Sequence, residues 1–301
     1  MLPTDGITIA GVGLLGGSIG LGLRAAGYKG EIVGLGHRAA SLDEALRLGC
    51  IDRGELDLAP AVAHAGLIVL ATPLSAFPKL LQGLGRSRTR PGVVITDVGS
   101  TKAAVCADAA RWLAPGQAFV GSHPMAGSER QGPAHADAGL FKRRPCVVTP
   151  GPETDAAALA RVKGLWTALG MRLITMTPAE HDARAARISH LPHAVAALLV
   201  QQADRHGDWP MASTGFRDTT RVAGGDPTIW RDIFATNRDA VTEALDGLSA
   251  ALTEFRELVR SGDDDALRAL LERSRAAREA WIESLEQPSY PPTKALDKPH
   301  V

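Results

Sequence analysis

A histidine and a glutamate stand six residues apart in Gly121-Ser122-His123-Pro124-Met125-Ala126-Gly127-Ser128-Glu129, directly after the apolar run Ala118 to Val120. The ordinary pKa of imidazole lies close to neutrality, so His123 at the mouth of a sheet suits proton transfer with a bound molecule. Two glycines and a proline shape the stretch as a loop. A second group is His190-Leu191-Pro192-His193, whose imidazoles are three residues apart and share one helical face. Pro192 removes a backbone N–H and is expected to kink that helix beside a pocket. No Asp, Glu or Cys stands at metal-ligand spacing from the pair, so no metal is expected. His181 is nine residues from His190, on the opposite face, and is expected at the surface. The third group is Gly215-Phe216-Arg217-Asp218-Thr219-Thr220-Arg221, in a predicted loop over 206–225. Asp218 and Arg221 would face each other across one turn, which by itself reads as an ordinary surface ion pair.

The elements that must position these groups begin with a short β-rich run, Ile7 to Ala10, followed at once by Gly11-Val12-Gly13-Leu14-Leu15-Gly16 and a helix to Ala26. Strand, glycine turn and helix in that order form a dinucleotide-binding fingerprint. Gly11 permits the tight turn, Gly13 lets the backbone approach a pyrophosphate, and Gly16 allows close helix–strand packing. The helix reads from Ser18, and its N-terminal unpaired N–H groups face the phosphates. The second strand, Glu31 to Leu35, runs into Gly36-His37-Arg38 where an NAD-binding chain would carry an acidic residue. Arg38 could pair with the 2′-phosphate of NADP, stack on adenine or face solvent, so the cofactor is read as NAD or NADP with a lean to NADP. Further strands are predicted at Gly66 to Ala71, Val93 to Asp97, Pro145 to Thr149 and Arg172 to Met176. Thr72-Pro73-Leu74-Ser75 would lie over the cofactor. Ser100, after Asp97-Val98-Gly99, reads equally as the N-cap of a helix over 102–113 and as a ligand.

The alternation of strands and helices up to residue 177 is that of an α/β Rossmann domain (1–177). Thr177-Pro178-Ala179-Glu180 is a capping box that opens an all-α region, 178–287. Asp226-Pro227 caps a helix expected to continue to about Val259, and an amphipathic helix follows over Asp263 to Glu286. Such stripes often pack on a second subunit, so a homodimer through the helical domain is expected. Residues 288–301 are proline-rich and read as a flexible tail.

Lys+Arg and Asp+Glu both number 33, so no global charge draws the chain to nucleic acid or an anionic membrane. Three widely spaced cysteines and the lack of a signal peptide or a long apolar run fit a soluble cytoplasmic protein. No segment before the fingerprint or after the last helix is long enough for a further catalytic or regulatory domain.

As a set, Gly11-x-Gly13-x-x-Gly16, Asp97-Val98-Gly99-Ser100-Thr101-Lys102, Gly121 to Glu129, His190-Leu191-Pro192-His193, Gly215 to Arg221 and Asp226-Pro227-x-x-Trp230 resemble the prephenate/arogenate (cyclohexadienyl) dehydrogenase family of tyrosine biosynthesis. The resemblance runs from Ile7 to about Leu285. It implies oxidative decarboxylation of prephenate or arogenate with hydride transfer to NAD(P)+, and a Rossmann domain followed by a dimer-forming helical domain. It further implies that His123 is the group acting on the ring hydroxyl, and that Ser100 contacts the same region and orients His123. By the same resemblance Arg221 binds a substrate carboxylate and His190 and His193 line the pocket, His193 nearer the substrate. Glu129 and Asp218 form an ionic gate with the arginine, and Ser128 belongs to the same substrate-binding stretch. Gly11, Gly13, Leu14, Leu15, Gly16, His37, Arg38, Thr72 and Pro73 are the expected cofactor contacts. Two rivals are a β-hydroxyacid-type dehydrogenase and a non-catalytic NADP-binding regulator. The former generally relies on a lysine in its helical domain, and residues 178–287 contain none.

Overall fold

Ile7, Ile9, Leu67 and Val69 pack on one face of a parallel sheet, and Ala10, Val33, Ile68 and Leu70 on the other. Strands buried on both sides read as unbroken aliphatic runs, which is why Ala65–Leu70 carries no polar residue. In the computed structural model, which describes residues 5–127 and 130–286, this sheet comprises β1 (Gly6–Ala10), β2 (Ile32–Leu35), β3 (Arg53–Glu55), β4 (Ala65–Leu70), β5 (Val94–Asp97) and β6 (Ala118–Phe119). All pairs are parallel and the order is β3-β2-β1-β4-β5-β6, the dinucleotide-binding arrangement. The crossovers carry α1 (Leu14–Ala25), α2 (Ala39–Arg47), α3 (Leu58–Val62), α4 (Phe77–Arg86) and α5 (Ala103–Trp112). The short β3 and α3 have no counterpart in the sequence reading, because three to five residues are too few to display a period.

A second sheet follows, and it changes the setting of His123. The stretch predicted as a loop begins as a strand, β7 (Gly121–Pro124), antiparallel to β8 (Pro145–Thr149), with His123 opposite Val147. β9 (Arg172–Thr175) joins β8 in parallel through α6 (Ala156–Ala168). Glycine, serine and proline are poor strand formers in isolation, so only the partner strand reveals β7.

The capping box opens α7 (Pro178–Ala185) as expected, with the Glu180 N–H donating to Thr177 Oγ1 at 3.2 Å and the Thr177 N–H to the Glu180 carboxylate at 2.8 Å. Ahead of Pro192 the helix passes through a five-residue π-helical turn, Ala186–His190, from which α8 (Leu191–His206) continues with Pro192 in its first turn. A π turn widens the helix ahead of a residue that cannot donate its N–H. The predicted loop over 206–225 also differs: it contains α9 (Thr214–Thr220) and a 3₁₀ turn, Arg221–Gly224. Thr219 and Thr220 donate their hydroxyls to the carbonyls four residues back, which lets two poor helix formers sit in α9. Asp226 caps α10 (Pro227–Thr236), its carboxylate accepting from the Thr228 N–H at 2.7 Å. That helix stops at Asn237 instead of running on, and α11 (Arg238–Ser261) and α12 (Asp264–Glu286) follow.

The chain divides into two compact units at Ala244/Leu245. The first holds both sheets and the helices through α10. The second is the remainder of α11 with α12, joined at Gly262, whose φ of +69° only glycine adopts without strain. Among the described residues no helix is long and apolar enough to cross a membrane, and no cluster of three metal-ligating side chains occurs. All three cysteines are free, and burial pushes each thiol up, Cys106 to about 11.

Candidate active site

Successive residues of a strand face opposite sides, so Ser122 and His123 point apart. Ser122 faces the interior, where its Oγ donates to the Asp97 carbonyl at 2.6 Å and accepts from Trp166 Nε1 at 2.9 Å. The Ser122 N–H donates to Asp97 Oδ1 at 2.9 Å, and the Gly99 N–H to Asp97 Oδ2 at 2.8 Å. Lys102 closes the network: it is fully buried, ion-paired with the equally buried Asp97, and donates from Nζ to the Ser122 carbonyl at 2.9 Å. This network pins β7 to the end of β5 and so fixes where His123 stands.

His123 faces α7. It is buried, and its Nδ1 lies 2.8 Å from Nε2 of His181. His181 Nδ1 lies in turn 2.7 Å from Asp182 Oδ1. The expectation that His181 is a surface residue is therefore wrong, since it is 2% exposed and bonded to the candidate base. The same side of α7 and of the following turn carries Asp182, Ala185 and Ala186, all buried. Those two alanines, four residues on from His181 and Asp182, were the available sign that this face turns inward. Asp182 accepts from the backbone N–H groups of Lys102 at 2.7 Å and Ala103 at 2.8 Å, capping α5. Ser100 thus does not cap that helix, and among the described residues its hydroxyl makes no hydrogen bond to His123 or any other group. Desolvation, followed by the neighbouring His181, Lys102 and His190, holds the His123 pKa well below its ordinary value, so the ring is a neutral base at neutral pH.

His190 and His193 both reach Trp230. The His193 ring stacks on the indole at 3.5 Å with the planes 10° apart, and His190 meets it edge-on at 6.2 Å. His190 Nε2 and His193 Nδ1 are buried without a partner among the described residues. Unpaired buried ring nitrogens flanking a half-buried aromatic fit a site for a polar, ring-bearing ligand. Burial lowers the pKa of His190 to about 4 and that of His193 in the same direction. Asn237, at the break between α10 and α11, donates to the Asp182 carbonyl at 2.9 Å and to His190 Nδ1 at 3.1 Å. The sequence reading passed over Asn237 as part of a continuous helix; its low helix propensity was the available signal.

Arg221 is exposed and makes no ion pair among the described residues. Asp218 does not face it. Instead Asp218 meets its neighbour Arg217 at 3.3 Å, both well exposed. Ser128 and Glu129 lie outside the described residues.

The fingerprint fits a dinucleotide. Gly11 has φ +97°, and a Cβ there would meet the Ala71 carbonyl at 2.6 Å; at Gly16 it would strike the Gly11 carbonyl at 1.9 Å. Gly13 has open space beside it and precedes α1 without any side-chain cap, leaving the first-turn N–H groups for a pyrophosphate. Thr72 Oγ1 is buried without a partner, as expected of a group that meets a ligand, and Pro73 is exposed beside it. The turn Leu74–Ala76 packs on α10, the helix of Trp230, so the cofactor-side loop adjoins the histidine cluster. His37 and Arg38 are exposed at the end of β2, with no carboxylate between Leu35 and Ala39.

Two family models match the chain: one described as prephenate dehydrogenase, nucleotide-binding domain, over residues 19–175, and one as prephenate dehydrogenase, dimerization domain, over residues 177–273. The prephenate dehydrogenase of Bacillus subtilis (strain 168) is 35% identical over 268 residues, 87% of this chain and 72% of that protein. The cyclohexadienyl dehydrogenase of Zymomonas mobilis subsp. mobilis is 33% identical over 90% of this chain and 94% of its own. Among solved structures, prephenate dehydrogenase from A. aeolicus, in complex with hydroxyphenyl propionate and NAD+, superposes with a TM-score of 0.85 at 31% identity, covering 93% of this chain and 99% of that one.

Proposed function

The chain belongs to the prephenate dehydrogenase family, and from that premise we propose that it oxidatively decarboxylates prephenate, arogenate or both, passing a hydride to NAD+ or NADP+. The observation that carries this reading is a buried imidazole, its pKa held low so that it is neutral at neutral pH, on the strand that directly follows the last strand of a dinucleotide-binding sheet. Hydride leaves C4 of the cyclohexadienol as the bond from C1 to its carboxylate breaks. That bond's electron pair enters the ring, CO2 departs, and the ring becomes aromatic. His123 takes the hydroxyl proton, raising electron density at C4 as the hydride departs. The dinucleotide, when bound, supplies the hydride acceptor.

Arg221 is assigned to a substrate carboxylate, for which an unpaired guanidinium in the described structure and its planar geometry speak. Arg221→Ala is expected to raise the substrate KM about 10- to 100-fold, the size of a lost charged hydrogen bond, with kcat less affected. A KM within twofold of wild type would place the carboxylate elsewhere. Arg38 is assigned to the adenosine ribose. Arg38→Ala is expected to raise the KM for NADP+ about tenfold or more while leaving that for NAD+ nearly unchanged. Equal effects on both cofactors would remove a 2′-phosphate contact. The substrate-binding and dimer-forming part is assigned to residues 178–287, and a homodimer is supported by Leu252, Phe255 and Val259, which form an exposed apolar stripe on α11. The test of function is reduced-nicotinamide absorbance with prephenate and arogenate, each against NAD+ and NADP+. Turnover in any combination supports the reaction and fixes substrate and cofactor. No turnover in all four, with dinucleotide still bound, favours the regulator.

A further inference from the structure

The bonds around His181 admit a single proton arrangement when both rings are neutral. Asp182 accepts two backbone N–H bonds at the start of α5, at 2.7 and 2.8 Å. A carboxylate so held has only acceptor positions to offer a third neighbour, so His181 Nδ1, 2.7 Å from Oδ1, must carry a hydrogen. Neutral imidazole has one N–H, which leaves His181 Nε2 as a lone pair. His123 Nδ1, 2.8 Å away, must then be the donor, and its own lone pair resides on Nε2. No partner for that Nε2 is found among the described residues.

We propose that His181 and Asp182 are positioning residues that hold His123 in the Nδ1–H tautomer, so that Nε2 is the atom that accepts the substrate proton. This rests on the reading of His123 as the base. When Nε2 takes the proton, the Nδ1–H becomes a stronger donor, and the bond to His181, backed by Asp182, stabilises the imidazolium. The proton ends on His123 Nε2, and no proton need leave Nδ1. The same carboxylate ties the base to the start of α5, whose N-cap is the Lys102 that anchors β7. The charged and titratable groups facing His123 are Lys102 with Asp97, His181 with Asp182, and His190 in the π turn. Of these, Lys102 and His190 oppose the imidazolium, as would a charged His181; a neutral His181 that accepts from the Nδ1–H through its Nε2 favours it.

Two measurements test this. In a long-range ¹H–¹⁵N spectrum of the wild-type protein, assigned by comparison with His123→Asn, the His123 ring should show a protonated Nδ1 and an unprotonated Nε2. The reverse tautomer overturns the proposal. This spectrum reads the ring whether or not the protein turns over any substrate, so failure of the functional reading stays distinguishable. His181→Leu, which removes the acceptor, should lower kcat about 10- to 100-fold, with KM for substrate and dinucleotide within twofold. The acidic limb of the kcat profile should move to lower pH. His181→Gln can accept from His123 and donate to Asp182, and should recover most of the loss and the position of the limb. Equal losses in both variants with an unmoved limb would mean that His181 only supports the fold, as would a His181→Leu kcat within twofold of wild type. Should His181→Leu fail to fold, the wild-type spectrum and the His181→Gln profile decide.

Discussion

Replacing His123 with asparagine is expected to lower kcat by about 10²–10⁴, the usual contribution of a positioned general base, while dinucleotide affinity changes little. The amide keeps the approximate size of the ring and can still bond His181, so the strand and its backing network remain. What disappears is a group able to take a proton. The pH dependence carries the same signature. Burial lowers the His123 pKa, so the base form is complete at pH 6.5 and above, and activity is lost only as pH falls through the lowered value. The wild-type kcat should therefore hold level across pH 6.5, and the His123→Asn variant should lack that limb. An asparagine variant with wild-type kcat would take His123 out of the chemistry.

The second large effect is on stability. Lys102 and Asp97 are both fully buried and ion-paired. Removing one partner leaves an uncompensated charge in the interior, which costs about 3–5 kcal/mol. Lys102→Met should accordingly lower the denaturation midpoint in urea and reduce Tm by on the order of 10 °C. The double variant Asp97→Asn, Lys102→Met, which removes both charges, should be markedly more stable than Lys102→Met alone. If the single variant unfolds at the wild-type midpoint, the pair does not hold β7 in place.

The fold was legible where local pattern and tertiary role coincide. The fully apolar run of β4, the tight turn at Gly11 and the close packing at Gly16 read correctly because each is dictated by its immediate neighbours in the chain. The capping box at Thr177 is likewise local. The site was legible only in part. His123 stood out by its residue type, but its strand did not, since Gly121–Pro124 becomes β through β8 and not through its own propensity. His181 was misplaced because a nine-residue spacing assumes a regular helix, and the π turn at Ala186–His190 breaks that count. The cap of α5 could not be read from Ser100, because Asp182 supplies it from 80 positions further along the chain. The expected Asp218–Arg221 pair is not formed, because Asp218 pairs with its immediate neighbour Arg217 instead. The misses at His123, His181 and Ser100 lie where remote segments meet, which is also where the base is positioned.

The central claim is that hydride removal and loss of CO2 are one reaction at this site. Reduced dinucleotide and released CO2 should be followed together from prephenate, with arogenate in parallel. One CO2 is expected for each dinucleotide reduced, with both rates falling together in His123→Asn. Dinucleotide reduction without CO2, or reduction that survives the loss of His123 undiminished, would contradict it.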